Sequence, residues 1–140
     1  MSAWTPGELD KIAGADELEV ASRRGNGRLR EPVTVWVVRL GNDLYVRSVN
    51  GRTGAWFRGA RERHEGRIRA GGVDRDVTFV EADKTLSDEI GRAYRSKYRR
   101  YAANIVKTVL TPRARLATLR LVPRESARST SRRPPPSGRR

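Results

Sequence analysis

The chain lacks cysteine altogether and holds one histidine and one methionine, the latter its first residue, among 140 residues. Without thiols there can be no disulfide framework, thiolate nucleophile, zinc–thiolate site or iron–sulfur cluster. No apolar run approaches the ~18 residues of a membrane span. The opening Met1-Ser2-Ala3-Trp4-Thr5-Pro6 has neither the basic start nor the apolar core of a signal peptide, so the expected location is cytoplasmic, with no membrane partner. The one imidazole, His64, stands between Glu62 and Glu65. A Ser-His-Asp triad would have to use it, yet no G-x-S-x-G elbow is present and nothing repeats at metal-ligand spacing. His64 therefore reads as a surface histidine, and no metal site is expected.

Lysine is scarce too. Of 30 basic residues only Lys11, Lys84, Lys97 and Lys107 are lysine, and against 16 acidic residues the net charge is +14. An arginine skew of this kind reflects codon usage as readily as phosphate binding, so its placement matters more than its sum.

Leu, Ile, Val and Phe make up 29 of the 140 residues, and none lies beyond Val122. The chain accordingly divides into a foldable body, residues 1–122, and a tail, residues 123–140. The tail has six arginines, four prolines and no large apolar side chain. It cannot bury enough surface to offset the entropy of ordering and is expected to be disordered, with a polyproline stretch at Pro134-Pro135-Pro136. Its charge of +5 makes it a candidate tether for nucleic acid or simply a solvated extension.

The body opens with Thr5-Pro6-Gly7-Glu8, a capping box that starts a helix ending at Gly14. Leu18 to Arg24 reads as a strand. Pro32 to Leu40 is β-branched on both faces and reads as one central, doubly buried strand. Gly41-Asn42-Asp43 turns it into a strand over Leu44 to Val49, and Ala55 to His64 reads as a short amphipathic helix. Gly71-Gly72 sits between Arg67–Ala70 and Val73–Val80 as a hairpin turn, pairing Ala70 with Val73, Arg69 with Asp74 and Arg67 with Asp76. Thr85 to about Tyr101 reads as a helix with Leu86, Ile90, Tyr94, Tyr98 and Tyr101 on one face and arginines elsewhere, and Ala114 to Val122 as a closing strand. About six short antiparallel strands with two to three helices outside them amount to a small, mainly β barrel of the α+β kind.

One constellation carries chemistry. In the run Tyr45 to Arg58 a strand enters a loop with Gly51 and Gly54, and a helix follows. Free N–H groups of such a loop and the positive end of a helix suit a phosphate. Arg47, Arg52 and Arg58 could add bidentate donors, Ser48 and Thr53 hydroxyls, and Trp36 and Trp56 flat faces for a planar ring. The residues alone serve equally well as a plain loop with tryptophans in the core and arginines in solvent.

The stretches Trp4-Thr5-Pro6-Gly7-Glu8-Leu9, Pro32 to Arg39, Leu44 to Gly51, Ala55 to Arg58 and Gly66 to Phe79 together resemble an uncharacterised bacterial domain-of-unknown-function family. The resemblance ends near Thr118 to Pro123. That family is similar to the split β-barrel proteins that bind FMN or a deazaflavin, the deazaflavin-dependent nitroreductases among them. Ser48, Gly51 and Ala55-Trp56-Phe57 match the nitroreductases' strand, glycine loop and Ala-Trp-Tyr helix start, and Ala93-Tyr94-Arg95-Ser96-Lys97-Tyr98 resembles the A-Y-x-x-K-Y helix of many split barrels. The chain departs from the nitroreductases in a shorter stretch before the tryptophan and in Gly25-Asn26-Gly27-Arg28 upstream.

The resemblance implies a homodimer with a groove between protomers. There Trp36, Arg47, Ser48, Gly51, Arg52, Gly54, Trp56 and Arg58 would bind FMN or a deazaflavin as a phosphate-bearing cofactor. If the protein is catalytic it would be a reductase, the cofactor doing the hydride chemistry. Two other functions remain open at this point: a non-catalytic barrel for a small ligand, and a basic nucleic-acid-associated protein using the tail and the helix over residues 85–101.

Overall fold

The computed structural model describes residues 3–124. The expected tail therefore lies, but for its first two residues, outside the described residues. Thr5 caps α1 (Pro6–Ala13) as expected: its hydroxyl accepts from the Glu8 N–H and the Glu8 carboxylate accepts from the Thr5 N–H. Trp4, buried just before the cap, donates its indole N–H to the Leu121 carbonyl at 2.9 Å, which pins the start of the chain to its last strand.

Seven strands follow: β1 (Leu18–Ser22), β2 (Val33–Val35), β3 (Val37–Leu40), β4 (Asp43–Arg47), β5 (Glu65–Ala70), β6 (Val73–Glu81) and β7 (Thr118–Pro123). They form one antiparallel sheet in the order β2-β1-β5-β6-β7-β4-β3. Its two edge strands, β2 and β3, are separated in sequence by Trp36 alone. The sheet thus bends round on itself and the chain crosses the seam at one residue, making a nearly closed barrel.

The run from Pro32 to Leu40 therefore differs from the single, doubly buried strand expected of it. Val33 and Thr34 are exposed, Trp36 breaks the run, and only Val37 and Val38 are buried. A β-branched run reports affinity for a pleated surface and does not say how many partners the strand has.

Two cores result from the alternation of side chains along the strands. Val37, Leu44, Val46, Leu119 and Leu121 point into the barrel with Phe57 and Phe79. Val38 and Tyr45 point outward and pack beneath α3 (Ser87–Lys97) with Ile90, Tyr94 and Tyr98. Arg47 follows Val46 and so falls on the outward, helix-facing side.

The β5–β6 hairpin holds the expected register, Ala70 opposite Val73, Arg69 opposite Asp74 and Arg67 opposite Asp76. Arg67 takes both carboxylates, Asp74 at 2.6 Å and Asp76 at 2.7 Å. After Lys97 the chain does not continue as helix to Tyr101. It makes two single-turn helices, α4 (Ala103–Val106) and α5 (Pro112–Arg115), with α2 (Ala55–Arg63) completing a set of five. Thr111 caps α5 by accepting from the Ala114 N–H, with Pro112 in the first turn, so Ala114 and Arg115 are helical where a strand was expected. His64 is exposed and ends α2 in the left-handed region at φ 62°. Among the described residues no group of three or more potential metal ligands occurs, and no helix is long and apolar enough to cross a membrane.

Candidate functional site: a tryptophan-walled groove at the barrel seam

The seam at Trp36 is held by the end of α3. The Tyr98 hydroxyl accepts from the Val37 N–H at 3.1 Å and donates to the Asp16 carbonyl at 2.7 Å. Lys97 Nζ donates to the Val37 carbonyl at 2.7 Å, and the Tyr94 hydroxyl to the Trp36 carbonyl at 3.3 Å. Two tyrosines and a lysine at helical spacing thus satisfy the backbone where the strand breaks. This is what the Tyr94-x-x-Lys97-Tyr98 pattern does in the fold. Burial pushes the Lys97 ammonium down to about 8 and raises the hydroxyls of Tyr94 and Tyr98 well above the ordinary tyrosine value.

Next to the seam lies a groove of about 320 Å³ with Trp36 and Trp56 in its walls. Trp36 stacks one face on Tyr98, ring centroids 3.9 Å apart and planes within 3°. Trp56 lies edge-on to Phe57 at 6.0 Å and is half-buried against the barrel core. The rim carries Val33, Val49 and Ile105, 38%, 44% and 46% exposed, three of the five large apolar side chains the surface shows among the described residues. Charge in the lining is confined to Glu17 and Arg47.

Beneath the groove, residues 48–54 fold tightly. Ser48 N–H donates to the Ala117 carbonyl at 3.0 Å, Gly51 N–H to Ser48 O and Gly54 N–H to Gly51 O. Gly51 sits at φ 73° with the Arg113 side chain over it, where a Cβ would come within 2.5 Å of Arg113 Cγ, so only glycine fits. Gly54 is the N-cap of α2 and supplies no side-chain cap, which leaves the first-turn N–H groups without a capping side chain. Ser48 is buried and its hydroxyl has no partner; a Cβ on Gly54 would lie 2.8 Å from that oxygen.

The expected site residues separate on this geometry. Trp36, Arg47 and Trp56 reach the groove, while Ser48, Gly51 and Gly54 build the loop under it. Two of the arginines are held by groups of the protein itself. Arg47, expected as a phosphate donor, is 2% exposed and committed inward: Nε to Thr118 Oγ1 at 3.0 Å, Nη1 to Val109 O at 2.9 Å, Nη2 to Ser87 O at 2.9 Å. Outward alternation after Val46 puts it there. Arg52 points away, bridging Glu81 at 3.0 and 3.2 Å and donating to Leu116 O at 2.7 Å beside a separate cleft of about 660 Å³. Arg58 is exposed and, among the described residues, has no carboxylate within 4.0 Å. The residues that sequence reasoning missed are Val33, Val49 and Ile105. Ile105 comes from a segment with no periodic pattern long enough to read.

Seven antiparallel strands closed at a one-residue seam, with helices outside and a groove beside the seam, define a small split β-barrel. The chain belongs to the bacterial family described as "Uncharacterized protein conserved in bacteria" (DUF2255), whose model matches residues 8–121. No curated protein matches it in sequence. Its fold is shared with an F420 reductase, at TM-score 0.54 and 12% identity over 89% of this chain and 97% of that one. It is shared too with HutZ, the heme storage protein from Vibrio cholerae, at TM-score 0.56 and 14% identity over 90% and 93%. A third neighbour is an FAD- and heme-binding protein from Mycobacterium smegmatis, at TM-score 0.50 and 14% identity over 86% and 66%.

Proposed function

We propose that the protein binds a flavin-type or deazaflavin-type cofactor in the seam groove and, if catalytic, acts as a reductase. The observation that carries this reading is the pairing of two tryptophan walls with an adjoining helix start that lacks a side-chain cap and overlies an orphaned, buried serine hydroxyl. A buried hydroxyl without a partner costs about 1–3 kcal/mol, so a ligand group or water that reaches it recovers free energy. The donor set fits a planar ring with a phosphate arm: Trp36, Val49 and Trp56 would hold the ring, and the first turn of α2 with Arg58 the phosphate.

When bound, the ring would supply hydride chemistry. This chain's own residues orient it, exclude water on the tryptophan side and neutralise the phosphate. Among the described residues no histidine lines the groove, and Glu17 is its one carboxylate.

The groove, at about 320 Å³, stands near the lower end of the ~300–1,000 Å³ range of ligand sites. Its exposed Val33, Val49 and Ile105 suit cover by a second copy of the chain, which would complete the site. Likeness of fold to an F420 reductase and to an FAD- and heme-binding protein supports the class of ligand and leaves the choice within it to experiment.

Thermal unfolding with FMN and, separately, with a deazaflavin should show a rise in Tm with one of them. Trp56→Ala should abolish that rise, from a basal Tm that is itself lower because the ring packs on the barrel core. Stabilisation equal in the wild type and in Trp56→Ala would place the ligand elsewhere.

A further inference from the structure

Positive charge in this protein is mostly paired. Thirteen of the 21 arginines among the described residues lie within 4.0 Å of a carboxylate, from Arg23 to Arg124. Arg47, Arg92 and Arg95 are not, and these three come together. With Arg115 they surround a pocket of about 120 Å³ between α3, Leu110 and α5, which has Arg47 in common with the tryptophan groove.

Arg47 makes the floor of that pocket. Its acceptors are all neutral: Thr118 Oγ1, Val109 O, Ser87 O and, at 3.4 Å, Ser87 Oγ. A guanidinium carries five N–H donors, so these bonds leave one on Nη1. That nitrogen faces Gly91, where a Cβ would stand 3.8 Å away; the missing side chain keeps the pocket open to it. A buried cation with no counter-ion is costly unless an anion reaches it. Arg92 and Arg95 stand over the same opening one and four residues further along α3. Asp88 is the only carboxylate in the lining, and it is engaged by Arg115.

We infer that this pocket is a second anion site, taking a tetrahedral oxyanion of the phosphate class that bridges the buried Arg47 to Arg92 and Arg95. A planar carboxylate would be matched by the fork of a single arginine. Donors converging from a floor and a rim instead match a group with acceptor oxygens on every side. The volume, about four times a water molecule's share of the liquid, admits one such group and little more. The source is either the free ion or the terminal phosphate of a larger metabolite. The site shares only Arg47 with the lining of the cofactor groove; Arg92 and Arg95 do not line that groove, so replacing them separates the two sites.

The test is calorimetric titration of the full chain with inorganic phosphate and, in a second arm, with a phosphomonoester such as glycerol phosphate, at constant ionic strength set with chloride. Saturable binding near one phosphate per chain is expected, and a tighter monoester would identify the larger ligand as the source. The Arg92→Ala/Arg95→Ala pair should weaken binding at least tenfold. Since Arg47 variants can fail to fold, Gly91→Ala is the second probe. Its methyl fits at ordinary contact distance and favours helix, so Tm should hold or rise while phosphate affinity falls. Arg58→Ala should leave the titration unchanged. The proposal is overturned by non-saturating heats equal in all variants, by a loss confined to Arg58→Ala, or by tight duplex nucleic-acid binding without phosphate binding.

Discussion

The β5–β6 hairpin, residues 65–81, and the β2–β3 run, residues 33–40, carry five β-branched residues each, yet they are specified differently. The hairpin's register follows from neighbours in sequence: a Gly71-Gly72 turn and Arg67 facing Asp74 and Asp76, all within ten residues. The β2–β3 run takes its shape from groups about sixty residues away. Tyr94, Lys97 and Tyr98 occupy the backbone of Trp36 and Val37, and that fixes where the strand breaks and where the barrel closes. Locally encoded structure is robust to single changes, whereas a seam sealed by distant polar contacts concentrates its stability in a few side chains.

The contrast can be pressed from its strongest consequence downward. Arg47→Met should be the most damaging change, costing roughly 3 kcal/mol or more by denaturant unfolding, because it strands the buried Val109 carbonyl and Thr118 hydroxyl and the half-buried Ser87 carbonyl. Tyr98→Phe keeps the Trp36 stack but orphans the Val37 N–H and Asp16 carbonyl, for about 1–3 kcal/mol. A cost equal to that of a surface substitution would show that the seam does not depend on it.

Lys97 makes the seam sensitive to pH. Its folded value near 8 lies below the ordinary 10.5, so between those values the unfolded chain binds the extra proton. Stability should therefore rise as pH climbs from 8 toward 10. Beyond about pH 10 it should fall, because unfolded tyrosines ionise while Tyr94 and Tyr98 stay protonated in the fold. Lys97→Met should remove the rise, as read from denaturation midpoints across that range. In the hairpin, by contrast, Arg67→Ala breaks an exposed pair with Asp74 and a half-buried pair with Asp76, which keeps Arg23 as a partner, and should cost about 1 kcal/mol or less. A loss as large as that of Tyr98→Phe would erase the distinction between the regions.

The same division explains what could be read ahead of the structure. The Thr5 capping box, the helix behind it, the β5–β6 register and the outward tyrosine face of residues 90–101 are local patterns, and they were legible. Thr111-Pro112 opens α5 with the same cap-and-proline device as Thr5-Pro6. Four helical residues are too few to show periodicity, so the alternation from Ala114 onward read as strand. Trp36 and Trp56 could be nominated for the groove on chemistry alone. The fates of Arg47 and Arg52 could not, since both depend on long-range partners, Thr118 and Val109 for one and Glu81 for the other. An arginine beside a glycine loop reads the same whether it faces a phosphate or the protein's own carbonyls.

The central claim is that the tryptophan-walled groove at the seam holds a flavin-like ring. Titrating the protein with FMN and with a deazaflavin while following tryptophan emission tests it directly, because Trp36 and Trp56 form the walls and Trp4 lies buried beside Leu121 at the other end of the chain. One of the two cofactors should quench the emission saturably, and Trp56→Phe should reduce the amplitude of the quench. Emission unchanged beyond the inner-filter effect, with both cofactors far above micromolar concentration, would contradict it.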